Sequence, residues 1–133
     1  MTAQFADTSY FLALLIPNDE NHAKAVALAN QLRAPLVTTD WVIVEVGNHL
    51  SPHKSRGIFS RFLQLLQADA RVQVVECSRE LLQKGLGLFQ ARADKGWSVT
   101  DCISFVVMQE QGLGESLSAD HHFEQAGFRI LLR

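Results

Sequence analysis

The chain has 133 residues, of which 47% are hydrophobic and 20% are charged. This is the composition of an ordinary globular domain, and it excludes a fibrous or disordered chain. The net charge of −2 does not decide for or against nucleic-acid binding, because that interaction depends on a local basic face. No apolar stretch reaches the ~20 residues of a membrane span, and no basic segment precedes the first apolar run. We therefore expect a single domain over residues 1–133 in a soluble, cytoplasmic protein that does not engage a membrane.

The two cysteines, Cys77 and Cys102, lie in apolar stretches and do not form a C-x-x-C pair. This arrangement favours two buried thiols over a disulfide or a metal site.

Strand and helix patterns alternate along the chain. Strands are predicted over 3–7, 35–39, 72–75, 115–120 and 128–132. Helices are predicted from Thr8 or Ser9 to Ile16, from Asn18 or Asp19 to Leu32, from Thr39 or Asp40 to Leu50, over 58–66, from Ser78 to about Asp94, from Ser98 to Gly112 and over 121–125. A polar, basic connector occupies 51–57. The alternation predicts an α/β sandwich on a mostly parallel sheet.

The helix that begins at Ser98 is the most strongly patterned element. Ser98 and Asp101 have the spacing of a capping box, and the residues that follow are apolar on almost every side, which is typical of a core helix. Asp101 is the one carboxylate at the start of this hidden helix.

Four acidic residues are candidates for a shared site. Asp7 and Asp120 end predicted strands, Asp101 opens the core helix, and Glu45 is expected to face inward among valines. Ligand sites of parallel sheets lie beyond the carboxyl ends of the strands, where the strand order reverses. Carboxylates that meet there repel one another unless a cation separates them, and oxygen ligands suit Mg²⁺ or Mn²⁺. The hypothesis from the residues alone is a metal-dependent phosphodiesterase.

Simpler interpretations compete for several of these residues. Asp7 and Asp120 are also suitable helix caps, and capping is the simplest role for Asp40. Asp94 belongs to a turn, with a smaller case for a place at the metal site. His121 and His122 have no suitably spaced Cys or His partner, so they are interpreted as helix-start residues and not as ligands.

Four blocks of the sequence, in order, resemble the PIN-domain family, and specifically its VapC-like toxins. The blocks are FADTSY (5–10), TDWVIVEV (39–46), DKGWSVTDCISF (94–105) and SADHHFEQAGF (118–128). The resemblance implies a three-layer α/β/α sandwich around a five-stranded parallel sheet. It also implies an endoribonuclease with Mg²⁺ or Mn²⁺ in an acidic pocket, a small antitoxin partner in many members, and commonly a homodimer.

The same resemblance assigns roles to residues. Asp7, Glu45, Asp101 and Asp120 are implied as the catalytic, metal-binding quartet. Ser9, or with less support Thr8, supplies the hydroxyl of the pocket. Cations must hold RNA beside such an acidic site, and Lys54, Arg56 and Arg61 are the candidates, although each is equally explained as part of a solvated helix start.

Other functions fit the sequence less well. A haloacid-dehalogenase-like phosphatase requires a second aspartate two residues after the first, where Ser9 stands. A receiver domain requires a late lysine, and none follows Lys95. A DNA-cutting relative usually carries insertions that this short chain lacks. The remaining alternative is a solitary or catalytically silent PIN-like module that acts by binding protein or RNA.

Overall fold

A computed structural model describes residues 2–133 and places five short strands in one sheet. The strands are β1 (Gln4–Ala6), β2 (Leu36–Thr39), β3 (Val72–Val75), β4 (Glu115–Leu117) and β5 (Arg129–Ile130). Their order in the sheet is β3-β2-β1-β4-β5, and every neighbouring pair is parallel. The predicted five-stranded α/β fold is confirmed, and the sheet is parallel throughout.

Within residues 2–133, seven α-helices cover the two faces of the sheet. They are α1 (Thr8–Leu15), α2 (His22–Gln31), α3 (Asp40–His49), α4 (Arg56–Ala68), α5 (Arg79–Ala91), α6 (Val99–Glu110) and α7 (His121–Gln125), with a short 3-10 turn at His53–Ser55. Because connections between parallel strands are right-handed, the reversal of strand order at β1 puts the helices before β3 on one face and those after it on the other. No helix within residues 2–133 is both long enough and apolar enough to cross a bilayer.

The core helix α6 has the predicted capping box. The Ser98 hydroxyl accepts a hydrogen bond from the Asp101 N–H at 3.0 Å, and the Asp101 carboxylate accepts one from the Ser98 N–H at 3.1 Å. Further along α6, the Phe105 ring packs edge-on against Trp97 and Phe123, at centroid distances of 5.0 and 4.9 Å. The contact between Phe105 and Phe123 packs the short helix α7 against α6.

The reversal of strand order lies between β1 and β4. Phe5 pairs with Ser116 and Ala6 with Leu117, so the next residues of the two strands, Asp7 and Ser118, come side by side at the carboxyl edge of the sheet. This is the edge at which a parallel sheet usually binds its ligand.

Several predicted element boundaries need correction. Helix α2 begins at His22 rather than at Asn18 or Asp19, because the Asp19 carboxylate accepts a hydrogen bond from the Asn21 N–H at 2.8 Å and holds a turn. Helix α4 begins at Arg56, inside the predicted connector, and α5 ends at Ala91 rather than near Asp94.

The role of Asp40 also differs from the prediction. Thr39 caps α3, since its hydroxyl accepts a hydrogen bond from the Val42 N–H at 3.1 Å. The Asp40 carboxylate instead accepts a hydrogen bond from the Cys77 N–H at 2.8 Å and so connects α3 to the end of β3.

The prediction of two buried thiols is wrong for one of the two cysteines. Cys102 is buried in α6, but Cys77 is exposed. It follows β3, which is an edge strand, and its neighbours from Glu76 to Glu80 are exposed as well.

Gly85 allows α5 to pack closely on α6. A Cβ atom at Gly85 would overlap the Ile103 side chain and would lie 3.3 Å from the Ile103 backbone. Gly87, two residues further along α5, is exposed, and a Cβ atom there would have no neighbour within 4 Å.

The two glycines make a matched pair for a stability measurement. We expect Gly85→Ala to lower the free energy of unfolding by about 1–3 kcal/mol, the usual cost of overpacking a core. We expect Gly87→Ala to raise it by about 0.5–1 kcal/mol, because alanine stiffens an exposed helix without a clash. Urea unfolding of both variants measures the two changes, and equal shifts in the same direction would contradict the close approach of α5 to α6.

Candidate functional site

Asp7 is the buried centre of the acidic site. It directly follows β1, and only 4% of its surface is exposed. Its side chain does not cap α1. Instead the Asp7 Oδ2 atom accepts hydrogen bonds from the Ser9 and Ser118 hydroxyls, each at 2.9 Å.

The two serines join the ends of β1 and β4. Their hydroxyl oxygens are 3.2 Å apart. The Ser9 hydroxyl also accepts a hydrogen bond from the Ala119 N–H at 3.1 Å, and the Ser118 hydroxyl accepts one from the Asp120 N–H at 2.9 Å. The segment that carries Asp120 is thereby fixed to the segment that carries Asp7.

Asp101 is brought to the same edge by α6. Its Oδ2 atom accepts the capping hydrogen bond from Ser98 and lies 3.1 Å from the His122 Nδ1 atom. The carboxylate is mostly buried, with 11% of its side chain exposed.

Asp120 is connected to Asp101 through His122. The Asp120 Oδ1 atom caps α7 by accepting a hydrogen bond from the His122 N–H at 2.9 Å, and it lies 3.4 Å from the His122 Nδ1 atom. The His122 ring is therefore located between the two carboxylates.

The surroundings of Asp7 and Asp101 favour the protonated form of each carboxyl group. The pKa of Asp7 is raised to about 7, mainly by burial and further by the charge of Asp101. The hydrogen bonds from Ser9 and Ser118 act in the opposite direction and lower it. Burial also raises the pKa of Asp101, with the charge of Asp120 acting in the same direction. Among the ion pairs of residues 2–133, none joins a lysine or arginine to Asp7, Asp101 or Asp120.

This donor set fits a hard divalent cation. Three carboxylates without a lysine or arginine partner within residues 2–133 supply the oxygen ligands that Mg²⁺ and Mn²⁺ prefer. The carboxylate oxygens of Asp7, Asp101 and Asp120 do not all lie within 4.8 Å of one another. Within residues 2–133, only the ligand atoms of Asp120, His121 and His122 form a triplet that close. Magnesium retains several water ligands, so direct contact with all three carboxylates is not required.

Glu45 lies on α3 and is only partly buried. The buried face of α3 is formed by Val42 and Val46, whereas Glu45 is half-buried and its neighbour Val44 is exposed. The structure gives Glu45 no hydrogen bond or ion pair with another residue of 2–133. Position 45 lies beside the apolar stripe of Val42 and Val46, so Glu45 is only partly enclosed, and its place in the acidic quartet stays a prediction.

The side chains of the remaining candidate residues have no hydrogen bond or ion pair to Asp7, Asp101 or Asp120 within residues 2–133. The Thr8 hydroxyl is buried and has no hydrogen-bond partner within residues 2–133. Asp94 is exposed and pairs with Arg92 at 3.0 Å. The basic candidates Lys54, Arg56 and Arg61 are all exposed on the 3-10 turn and α4.

Two residues of this network were missed by the sequence analysis. Ser118 stands next to Asp7 through the pairing of β1 with β4, and the available signal was serine at alternate positions, 116 and 118, of the strand predicted over 115–120. His122 lies at the start of α7 as predicted, but its ring also faces two acids, and only 24% of its side chain is exposed. No pattern in the sequence places it against Asp101, since the two are 21 residues apart.

A family model described as the PIN domain matches residues 5–129. The chain belongs to the PIN domain family. The predicted family is thus confirmed, and the acidic site of this PIN domain lies within the matched range. A comparison with curated protein sequences gave no significant match.

Two solved structures share the fold of this PIN domain. Mycobacterium tuberculosis VapC20, described as a sarcin-ricin loop cleaving toxin, superimposes with a TM-score of 0.86 and 22% identity over 96% of each chain. VapBC2 from Rickettsia felis, solved with a DNA fragment from their promoter, gives a TM-score of 0.67 and 11% identity over 97% of each chain. At these identities the likeness establishes the architecture of the domain.

The raised pKa of Asp7 predicts a pH-dependent stability in the presence of a chelator. The folded protein holds a proton on Asp7 up to about pH 7, whereas the unfolded chain loses it near 3.8. Between these values the folded state binds more protons, so the Asp7 contribution to stability is complete below pH 3.8 and is lost as the pH rises through 7. We expect Asp7→Asn, which cannot ionise, to gain stability relative to wild type between pH 4.5 and pH 8, as measured by urea unfolding.

Asp69→Asn is the control for this measurement. Asp69 lies at the opposite edge of the sheet, and hydrogen bonds from Arg71 lower its pKa. Asp69→Asn is expected to lose stability between pH 4.5 and pH 8 as the wild type does. A stability difference between Asp7→Asn and wild type that is the same at both pH values would contradict the shifted pKa of Asp7.

Proposed function

We propose that this PIN domain is a metal-dependent endoribonuclease, and that it acts as the toxin of a type II toxin–antitoxin pair. The observation that carries the proposal is the meeting of Asp7, Asp101 and Asp120 at the reversal of strand order, with no lysine or arginine paired to them within residues 2–133. A site that concentrates negative charge in this way is suited to binding a cation and, through it, a phosphodiester.

Asp7, Asp101 and Asp120 would hold Mg²⁺ or Mn²⁺. Glu45 is proposed as the fourth acid from its place in the sequence block, with less structural support than the other three. When bound, such an ion neutralises charge on the phosphate and lowers the pKa of a coordinated water.

The chain's own residues have distinct tasks in the proposed reaction. Ser9 and Ser118 fix the Asp7 carboxylate through their hydrogen bonds to Oδ2, and the capping box fixes Asp101. One carboxylate of the set accepts a proton from the attacking water. The water oxygen bonds to phosphorus, the bond from phosphorus to the 3′ oxygen breaks, and that oxygen takes up a proton, which leaves a 5′-phosphate and a 3′-hydroxyl.

The proposed protein partners are a small antitoxin and a second copy of the chain. The Rickettsia felis neighbour is a VapBC complex, which supports the antitoxin. For the antitoxin, the chain offers an apolar groove with a basic edge between α3 and α4. The groove has a volume of about 580 Å³ and is lined by Val44, Phe59 and Arg56 among others. Leu86 and Phe89 are exposed on α5 and offer a second apolar face for the homodimer. Sedimentation of the purified chain tests the homodimer, and a monomer at micromolar concentration would contradict it.

We expect the wild-type chain to cleave RNA with Mg²⁺ or Mn²⁺ and to be inactive with excess chelator. Asp7→Asn and Asp101→Asn each remove a charged oxygen ligand from the proposed cation site. Each is therefore expected to lower the cleavage rate by at least about 100-fold, in line with losses of groups that stabilise a transition state electrostatically. A gel assay on a labelled RNA measures these rates.

Asp69→Asn is again the control, because it makes the same chemical change at the opposite edge of the sheet and is expected to retain the wild-type rate. Cleavage that persists in chelator, or that survives both site substitutions, would reject the metal nuclease. If the wild-type chain binds RNA without cleaving it under any metal, the catalytically silent module becomes the better account.

We propose that Lys54, Arg56 and Arg61 contact the RNA backbone. Changing all three to glutamine is expected to weaken RNA binding and to reduce the slope of log affinity against log salt by up to about 2, since each phosphate contact to a single strand contributes ~0.7. Fluorescence anisotropy with a labelled RNA at several salt concentrations measures the slope.

A triple variant at Lys24, Arg33 and Arg129 removes the same charge from other exposed positions. It is expected to change the slope little. An unchanged slope in the Lys54/Arg56/Arg61 variant would remove these residues from the RNA path.

A further inference from the structure

We propose that Asp120, His121 and His122 form a site for a nitrogen-preferring divalent transition metal ion, for which Zn²⁺ is the probe. Each of the three residues offers a ligand atom, and these atoms all lie within 4.8 Å of one another. This site is chemically different from the oxygen site proposed for Mg²⁺, and its existence does not depend on the nuclease function.

The spacing of the ligand atoms suits a small ion. The Asp120 Oδ1 atom is 3.4 Å from His122 Nδ1 and 3.8 Å from His121 Nδ1. Bonds of about 2.0–2.1 Å from zinc to nitrogen or oxygen place the ligand atoms of a tetrahedral site roughly 3.3 Å apart. The two distances from Asp120 therefore need to shorten by no more than about half an ångström, which small side-chain rotations can supply, and the two histidine ligand atoms lie within 4.8 Å of each other.

The local structure holds the triplet in place before an ion arrives. Asp120 is fixed as the cap of α7 by the His122 N–H, and Phe123 on the same helix is fully buried. The two imidazole rings have centroids 4.6 Å apart. His121 is the exposed member, with 64% of its side chain accessible, so a fourth position remains open to water.

The chemistry of the ligands decides which ion is favoured. Two imidazoles and one carboxylate suit Zn²⁺, Co²⁺, Ni²⁺ and Cu²⁺, whereas Mg²⁺ prefers oxygen ligands alone. His122 Nδ1 also lies 3.1 Å from Asp101 Oδ2, so a zinc ion must compete with that contact for the same nitrogen.

Occupation of this site has a consequence for the proposed nuclease. Asp120 belongs to both sets of ligands, so a bound zinc ion would withdraw it from the oxygen site. Zinc is therefore expected to oppose cleavage supported by Mg²⁺; this consequence, unlike the metal site itself, rests on the proposed function.

The test measures the affinity of the full, tag-free chain for Zn²⁺ by competition with a chromophoric chelator, without RNA. His121→Ala removes one imidazole from an exposed position and is expected to lower the zinc affinity by at least about 10–100-fold, the loss caused even by partners outside the first ligand sphere. His49→Ala, which removes another exposed histidine at the end of α3, is the control and is expected to keep the wild-type affinity. Circular dichroism checks that both variants are folded.

Asp7→Asn separates this site from the oxygen site. Because Asp7 is outside the triplet, its substitution is expected to change the zinc affinity by less than about threefold. In a separate measurement, Co²⁺ bound in place of zinc should give a visible absorption spectrum, and His121→Ala should abolish it. Equal zinc affinities of wild type and His121→Ala would overturn the proposal. A loss of zinc binding in Asp7→Asn as large as in His121→Ala would also overturn it, by placing zinc at the acidic pocket.

Discussion

The burial of one carboxylate, Asp7, is the constraint on which the organisation of this domain depends. A charge withdrawn from water is costly unless other groups compensate for it, and here the partners are two hydroxyl groups and an adjacent acid. The serine hydroxyls stabilise the ionised form, whereas burial and Asp101 oppose it more strongly, so the pKa rises to about 7. The site is therefore electrostatically incomplete as a set of protein groups, which is the property expected of a cation-binding pocket.

The architecture explains why the acidic residues meet at this point. Strand order reverses between β1 and β4, and the chain leaves the two strands toward opposite faces of the sheet. The gap that opens between the departing helices receives Asp7 from one strand and the segment from Ser118 to Asp120 from the other. Hydrogen bonds through Ser9 and Ser118 then fix the two segments to each other.

Helix capping and site formation use the same carboxylates. Asp101 completes the capping box of α6, and Asp120 caps α7. A capping carboxylate is held by backbone N–H groups, so its position follows from the start of its helix. The two acidic side chains are thereby held in place by the same backbone groups that begin the helices. The aromatic packing of Trp97, Phe105 and Phe123 in turn joins the starts of α6 and α7, and so sets how far the two acids stand apart.

Features that depend on local chemistry and on the order of elements could be predicted from the sequence alone. The alternation of strands and helices predicted the parallel α/β sheet, the S-x-x-D spacing predicted the capping box, and the four ordered blocks predicted the family. Tertiary structure decided what depends on contacts between distant segments. It placed Ser118 beside Asp7 through strand pairing and His122 between Asp101 and Asp120 through the packing of α7. It also left Glu45 half-buried at the margin of the α3 stripe and Cys77 exposed beyond an edge strand. Periodicity specifies which face of an element is apolar, but the surroundings of a residue at the margin of that face are set by the elements packed against it.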